Sequence, residues 1–174
     1  MKVSVLLLTV AVSTALFTSC QQQDATPDPV RSAASARKGV RDNFTAHLTS
    51  AQEVRTPPVE SRAQGQGILR FSKDGTEVYY KLIVSNIMDI TMAHLHLAPA
   101  GSNGGIVVDL IMPPGIPGRS NGVVAEGTFT AANLRGALAG QTLEDLRTAL
   151  EEGRIYFNVH TTAYPGGEIR GQVE

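Results

Sequence analysis

The fold is decided by residues 67–85, which read GILRFSKDGTEVYYKLIVS. Every second residue from Val78 to Val84 is apolar or aromatic, and such residues lie on one face of a β-strand. Lys73-Asp74-Gly75 interrupts the pattern with the residues of a tight turn. The stretch therefore predicts two antiparallel strands, 67–72 and 76–85, joined as a hairpin.

Similar short apolar or alternating segments lie on both sides of this hairpin. They predict further strands over residues 43–49, 91–98, 106–112, 123–130, 154–160 and 167–173. Thr142 is a good N-cap, and a stripe of leucines behind it predicts one short helix near 143–152. About eight strands separated by turns, with seventeen glycines and nine prolines, predict an all-β sandwich or barrel.

The composition limits the classes of protein that the chain can belong to. Its 174 residues allow one domain, with or without a tail. The formal net charge of −1 argues against nucleic-acid binding by bulk electrostatics. Cys20 is the only cysteine, which excludes an internal disulfide and a thiolate metal cluster.

The first twenty residues predict export and lipidation. Met1-Lys2 supplies a short positive start, and residues 3–17 form an apolar run that is too short to span a bilayer. The following Thr18-Ser19-Cys20 resembles a bacterial lipobox, in which the cysteine receives the lipid. We therefore expect residues 1–19 to be a lipoprotein signal peptide, and Cys20 to anchor the protein to a membrane surface.

The organisation of the rest of the chain follows from its composition. Residues 20–42 are mostly small and polar and have no apolar period, which predicts a disordered tether behind the lipidated cysteine. Residues 43–174 form the folded domain. We expect the protein in the cell envelope, periplasmic or surface-exposed. Gln21 weakly favours the outer membrane over the inner one.

Three histidines are predicted to share the face of the sheet that lies opposite the core. His94 and His96 stand two residues apart on one strand, and Ala93 and Leu95 point the other way. His160 follows the same rule on a later strand. If the two strands are neighbours, three imidazoles converge on the outer wall. Imidazole is the common ligand of copper, zinc, nickel and iron, so the pattern predicts a transition-metal site. Solvated histidines on a surface strand are the alternative.

Other residues are candidates for supporting this site. Met92 is predicted to lie on the same face as the histidines. It is either a soft axial ligand of the metal or an ordinary apolar residue. Glu53 is a candidate for orienting a histidine, or a solvated loop acid. We expect His47 to be a solvated strand residue. The Gly-rich loop 98–105 walls one side of the site or simply connects two strands. No pattern of a nucleophile or a phosphate loop is present, so no catalytic residue is predicted.

Several motifs together resemble the CHRD domain, a family named after chordin and common in bacterial secreted proteins. They are Phe44-Thr45-Ala46-His47-Leu48, Glu53-Val54, Ala93-His94-Leu95-His96, Asn158-Val159-His160-Thr161 and the closing stretch 165–172. Arg55-Thr56 interrupts the Glu-Val-Pro-Pro run that is usual in the family. The resemblance covers about residues 44–173. Chordin is an extracellular binding antagonist, so the resemblance also suggests the rival hypothesis of a metal-free module with extracellular protein partners.

A second, looser similarity is to the copper half of copper-zinc superoxide dismutases. It rests on the order of a His-x-His pair and a later Val-His pair. This similarity implies a Greek-key β-sandwich. An immunoglobulin-like sandwich is the alternative for the fold. Carried over, His94, His96 and His160 match three copper ligands. The bridging histidine, the zinc ligands and the disulfide have no counterpart. We therefore expect a lipoprotein that binds a transition metal, with copper preferred to zinc. A metal-free interaction module and a metal-dependent redox enzyme are the alternatives.

Overall fold

The computed structural model describes residues 41–174, and seven β-strands make up half of them. The strands are β1 Asn43–Thr49, β2 Gln64–Phe71, β3 Val78–Leu97, β4 Gly105–Ile111, β5 Ile116–Phe129, β6 Ile155–Thr161 and β7 Ile169–Gln172. One α-helix, α1, spans Leu143–Glu151. The predicted all-β fold with a single short helix is confirmed for this part of the chain. The predicted signal peptide, Cys20 and nearly all of the predicted tether lie outside the described residues.

Strand β3 closes the sheet into a barrel. Its first half pairs with β2 and β5, and its second half pairs with β6 and β4. Strands β1 and β7 connect β2 to β6, so the path of neighbouring strands returns to β3. The segments 76–85 and 91–98 are therefore parts of one strand, and the count is seven rather than eight. The bend between them is made by register shifts and by positive φ angles at Asn86 (56°) and Asp89 (49°).

The core fills the inside of this barrel. The alternating residues of the predicted hairpin face inward, and Val78 and Leu82 are fully buried. Phe44 and Leu48 of β1 and Phe157 of β6 join them. The hairpin turn is formed as predicted, with Gly75 at φ 72° between the paired Phe71 and Val78. Burial of apolar side chains on one face of each strand is the main stabilising contribution.

Helix α1 begins and ends where the sequence predicts. The Thr142 hydroxyl accepts a hydrogen bond from the Asp145 amide, and the Asp145 carboxylate accepts one from the Thr142 amide. Leu146 and Leu150 pack into the core, and Gly153 follows the helix with φ 65°. In residues 41–174, no helix is both long enough and apolar enough to cross a bilayer.

We expect Gly67→Ala to destabilise the barrel. A methyl group at Gly67 would overlap three ring carbons of the buried Phe157, all within 2.6 Å. Overpacking of this kind costs about 1–3 kcal/mol of unfolding free energy. Gly105→Ala is the matched control in another strand, because nothing lies within 4 Å of its added methyl group. Urea unfolding of both variants measures the difference, and equal midpoints would contradict this account of the packing.

Candidate metal centre

The pairing of β3 with β6 places the three histidines side by side. Met92 lies opposite His160, His94 opposite Asn158, and His96 opposite Tyr156. Residues directly opposite each other in an antiparallel pair point to the same face of the sheet. The alternate residues, such as Ala93 and Val159, are fully buried in the core. The histidines therefore occupy the face opposite the core, as predicted from strand alternation.

The three imidazole rings form a compact cluster. The ring centroids of His94 and His160 are 5.1 Å apart, those of His94 and His96 5.6 Å, and those of His96 and His160 6.0 Å. One nitrogen of each ring lies within 4.8 Å of the corresponding nitrogens of the other two. Metal–nitrogen bonds of about 2 Å would hold the nitrogens about 3–4 Å apart. Binding of one ion by all three rings thus needs the nitrogens to approach one another by at most about 1–2 Å.

Backbone carbonyls fix the orientation of two of the rings. His96 Nδ1 lies 2.9 Å from the Gly104 carbonyl oxygen, and His160 Nδ1 lies 3.0 Å from the Pro165 carbonyl oxygen. A carbonyl only accepts hydrogen bonds, so both Nδ1 atoms donate and both Nε2 atoms carry a lone pair. His94 Nε2 lies 3.5 Å from Oδ1 of Asp109, which favours a proton on Nε2 and a lone pair on Nδ1.

The ring nitrogens that carry these lone pairs have no hydrogen-bond partner. His94 Nδ1, His96 Nε2 and His160 Nε2 are buried side-chain atoms, and no donor in residues 41–174 reaches them. Leaving a buried acceptor unsatisfied costs about 1–3 kcal/mol, so three in one cluster call for an explanation. A cation held between them is the simplest group that would satisfy all three. Histidine ligands typically donate their other nitrogen to a carbonyl or a carboxylate. His96 and His160 do so here, and the other nitrogen of His94 lies beside the Asp109 carboxylate.

Burial keeps the cluster in the neutral form that metals require. Desolvation, followed by repulsion from His160 and His96, lowers the pKa of His94 to about 4. Desolvation also lowers the pKa of His96 and of His160, against the opposing effect of their carbonyl hydrogen bonds. A neutral imidazole has a lone pair free for a metal ion, so no proton needs to be displaced at neutral pH.

The cluster is buried, which corrects the prediction of a surface site. The exposed fractions of His94, His96 and His160 are 2%, 8% and 8%. Tyr156 stacks on the His96 ring with centroids 4.9 Å apart, and the loops that carry Gly104 and Pro165 bond to the rings. Strand alternation identifies the face on which a side chain lies, but loops that fold over that face decide whether solvent reaches it.

The predicted supporting residues occupy different positions. Met92 is half-buried on the histidine face, in register with His160. Glu53 accepts a hydrogen bond of 2.5 Å from Asn158 Nδ2. Asn158 lies opposite His94 in the sheet, so Glu53 contacts this neighbour and not a histidine ring. His47 is exposed on β1 and lies outside the cluster, as expected. The loop 98–105 does wall one side of the site, through Gly104.

Sequence reasoning missed two residues that contact the rings. Asp109 lies beside His94 Nε2 and also forms an ion pair with Arg135. It is the one acid in the apolar run 106–111, and an acid in such a run is a signal in the sequence that the side chain has a specific partner. Tyr156 stacks on the His96 ring, and the Arg170 guanidinium lies 3.5 Å from the centre of the Tyr156 ring.

The fold and the cluster together define a class of protein, an all-β barrel domain with a buried group of three histidines outside its core. The family model of the CHRD domain matches residues 44–173, which include all three histidines. The chain therefore belongs to the CHRD domain family, whose members are typically extracellular or periplasmic. No curated protein and no solved structure matches the chain.

We expect the stability of the metal-free protein to depend on pH through two opposing groups. The three histidines have lowered pKa values, so the unfolded chain binds more protons below about pH 6.5 and stability is lost as the pH falls. Burial raises the pKa of Glu53 to about 7, so its contribution to stability is lost as the pH rises from about 4.5 to 7.

Glu53→Gln removes only the second effect and keeps an oxygen that can accept from Asn158. The stability of this variant should rise more steeply than that of the wild type between pH 4.5 and 7. Urea unfolding at a series of pH values measures both curves. Glu60→Gln, at an exposed position, is the control and should follow the wild type. Parallel curves for Glu53→Gln and the wild type would show that the Glu53 carboxyl is not perturbed by burial.

Proposed function

We propose that the protein is a lipid-anchored protein of the cell envelope whose CHRD domain binds one transition metal ion through His94, His96 and His160. One observation carries this proposal: each of the three clustered rings has a buried nitrogen without a hydrogen-bond partner, and the rings bring one nitrogen each to within 4.8 Å of the other two. Protonation would satisfy them only by placing positive charges next to each other in a desolvated site. A single cation satisfies all three at once.

The donor set favours copper, with zinc as the alternative. Three imidazoles suit copper, zinc, nickel and iron, and Cu²⁺ binds nitrogen ligands most strongly among these divalent ions. The half-buried Met92, in register with His160, places a thioether on the same face, and thioethers prefer copper to zinc. The likeness of the histidine order to the copper half of superoxide dismutases supports the same choice.

The proposed role is binding rather than catalysis. Three protein ligands leave a coordination position open, which is the arrangement of catalytic and transport sites alike. The low exposure of the rings restricts access to small molecules. Asp109 and the two carbonyls would hold the rings in the liganding orientation whether or not the ion undergoes redox chemistry.

Metal titration of the full-length protein tests the site. We expect one equivalent of Cu²⁺ to bind, with Zn²⁺ binding more weakly, in calorimetry at neutral pH. His94→Ala and His160→Ala should each weaken binding at least a hundredfold, because each removes one of three ligands. His47→Ala is the matched control, since this histidine is exposed and lies outside the cluster.

The other hypotheses predict different results in the same experiment. Copper binding that is equal in the wild type and His94→Ala, or absent from both, would contradict the metal site and leave a metal-free interaction module. Redox turnover by the copper-loaded protein that is lost in His160→Ala would instead establish a metal-dependent enzyme.

The anchor is tested separately at Cys20. Cys20→Ser should abolish incorporation of labelled palmitate and release the protein from the membrane fraction, because Cys20 is the only thiol available for lipidation. Ser19→Ala keeps a small residue before the cysteine and serves as the control, with labelling retained. Labelling of the Cys20→Ser variant would disprove a lipoprotein anchor at this residue.

A further inference from the structure

A cavity of about 640 Å³ lies beside the histidine cluster and is not part of it. It is lined by the segment 51–56, by Ala100 and Gly101, and by Arg170 and Gln172 of β7. None of the three histidines lines it. Tyr156 connects its wall to the cluster, because this ring contacts the Arg170 guanidinium and also stacks on the His96 ring.

Arg170 brings a buried positive charge to this cavity, and no carboxylate forms a direct ion pair with it. Its exposed fraction is 1%. Its guanidinium donates to Oδ1 of Asn103, to the Pro99 carbonyl and to Oε1 of Gln172, each at 3.3 Å, and all three acceptors are neutral. No carboxylate of residues 41–174 lies within ion-pair distance of it. Buried charges in proteins are usually paired, so this one has an unmet requirement for an anion.

The other charged groups of the cavity leave this requirement in place. Glu53 is the acid in the lining, and its charge interacts with that of Arg170. Its Oε1 nevertheless accepts a hydrogen bond from Asn158 and none from the guanidinium. Burial raises the pKa of Glu53 to about 7, so much of it is uncharged at neutral pH. Arg55 adds a second positive charge at an exposed position of the same lining. Two guanidinium groups against one carboxyl group make the cavity positively charged at neutral pH, whether Glu53 is protonated or not.

We propose that this cavity binds a small carboxylate anion through the Arg170 guanidinium. The planar guanidinium matches a carboxylate in shape and hydrogen-bonding geometry. The neutral form of Glu53 can donate its proton to a ligand oxygen. A dicarboxylate would also place its second charge near Arg55, and the cavity has room for a chain of a few carbons. The proposal does not depend on a metal in the histidine cluster.

Calorimetric titration of the full-length protein with succinate tests the proposal. The buffer is freed of metals with a chelating resin, because a soluble carboxylate chelator would compete for the cavity. We expect succinate to bind in this metal-free protein, more tightly than acetate and more tightly than inorganic phosphate. His94→Ala should bind succinate as the wild type does, so failure of the metal site and failure of this site are distinguishable.

Two variants assign the binding to the cavity. Arg55→Gln should weaken succinate binding about threefold or more and reduce its preference over acetate, whereas Arg70→Gln, at another exposed arginine outside the lining, should leave it unchanged. Arg170→Lys should weaken binding at least tenfold, with folding checked by circular dichroism. If Arg170→Lys does not fold, the result for Arg55→Gln decides whether succinate binds in this cavity.

The outcomes against the proposal are equally definite. No binding of any anion to the wild type would overturn it. Tighter binding of phosphate than of succinate would overturn the assignment of a carboxylate ligand. Binding of succinate that is unaffected by Arg55→Gln would place the anion elsewhere on the protein.

Discussion

The register between β3 and β6 is the constraint on which the site depends. Side chains alternate between the two faces of a strand, so a slip of one residue would move the histidines of one strand into the core and its apolar residues out of it. The observed register pairs Ala93 with Val159 inside the barrel and His94 with Asn158 outside it. Burial of the apolar set is thus what holds the imidazoles on a common outer face.

Closure of the barrel by β3 links that register to the rest of the fold. The same strand carries the hairpin in its first half and the His-x-His pair in its second half. A change of direction at Asn86–Asp89 lets one strand serve both parts of the sheet. The core under the first half of β3 therefore also supports its second half. Support is needed there, because a small displacement of one imidazole would separate its nitrogen from those of the other two rings.

The outer face of β6 and β7 carries a second, polar layer over the sheet. His96, Tyr156 and Arg170 stack in sequence, and Asn158 links this layer to Glu53. The layer is buried because loops cover it, which gives its titratable groups shifted pKa values without placing them in the apolar core. The proposed metal site and the proposed anion site lie at opposite ends of the same stack, so they share a scaffold while using different donors.

Much of this arrangement was determined by the sequence alone. Alternation identified the core face, the hairpin and the side of the sheet on which His94, His96 and His160 lie, because those properties depend on local geometry. The merging of two segments into β3, the burial of the histidine rings and the contacts of Arg170 were decided by tertiary structure. They depend on which loop folds over which face and on contacts between residues far apart in the chain, and no local pattern of residues encodes these.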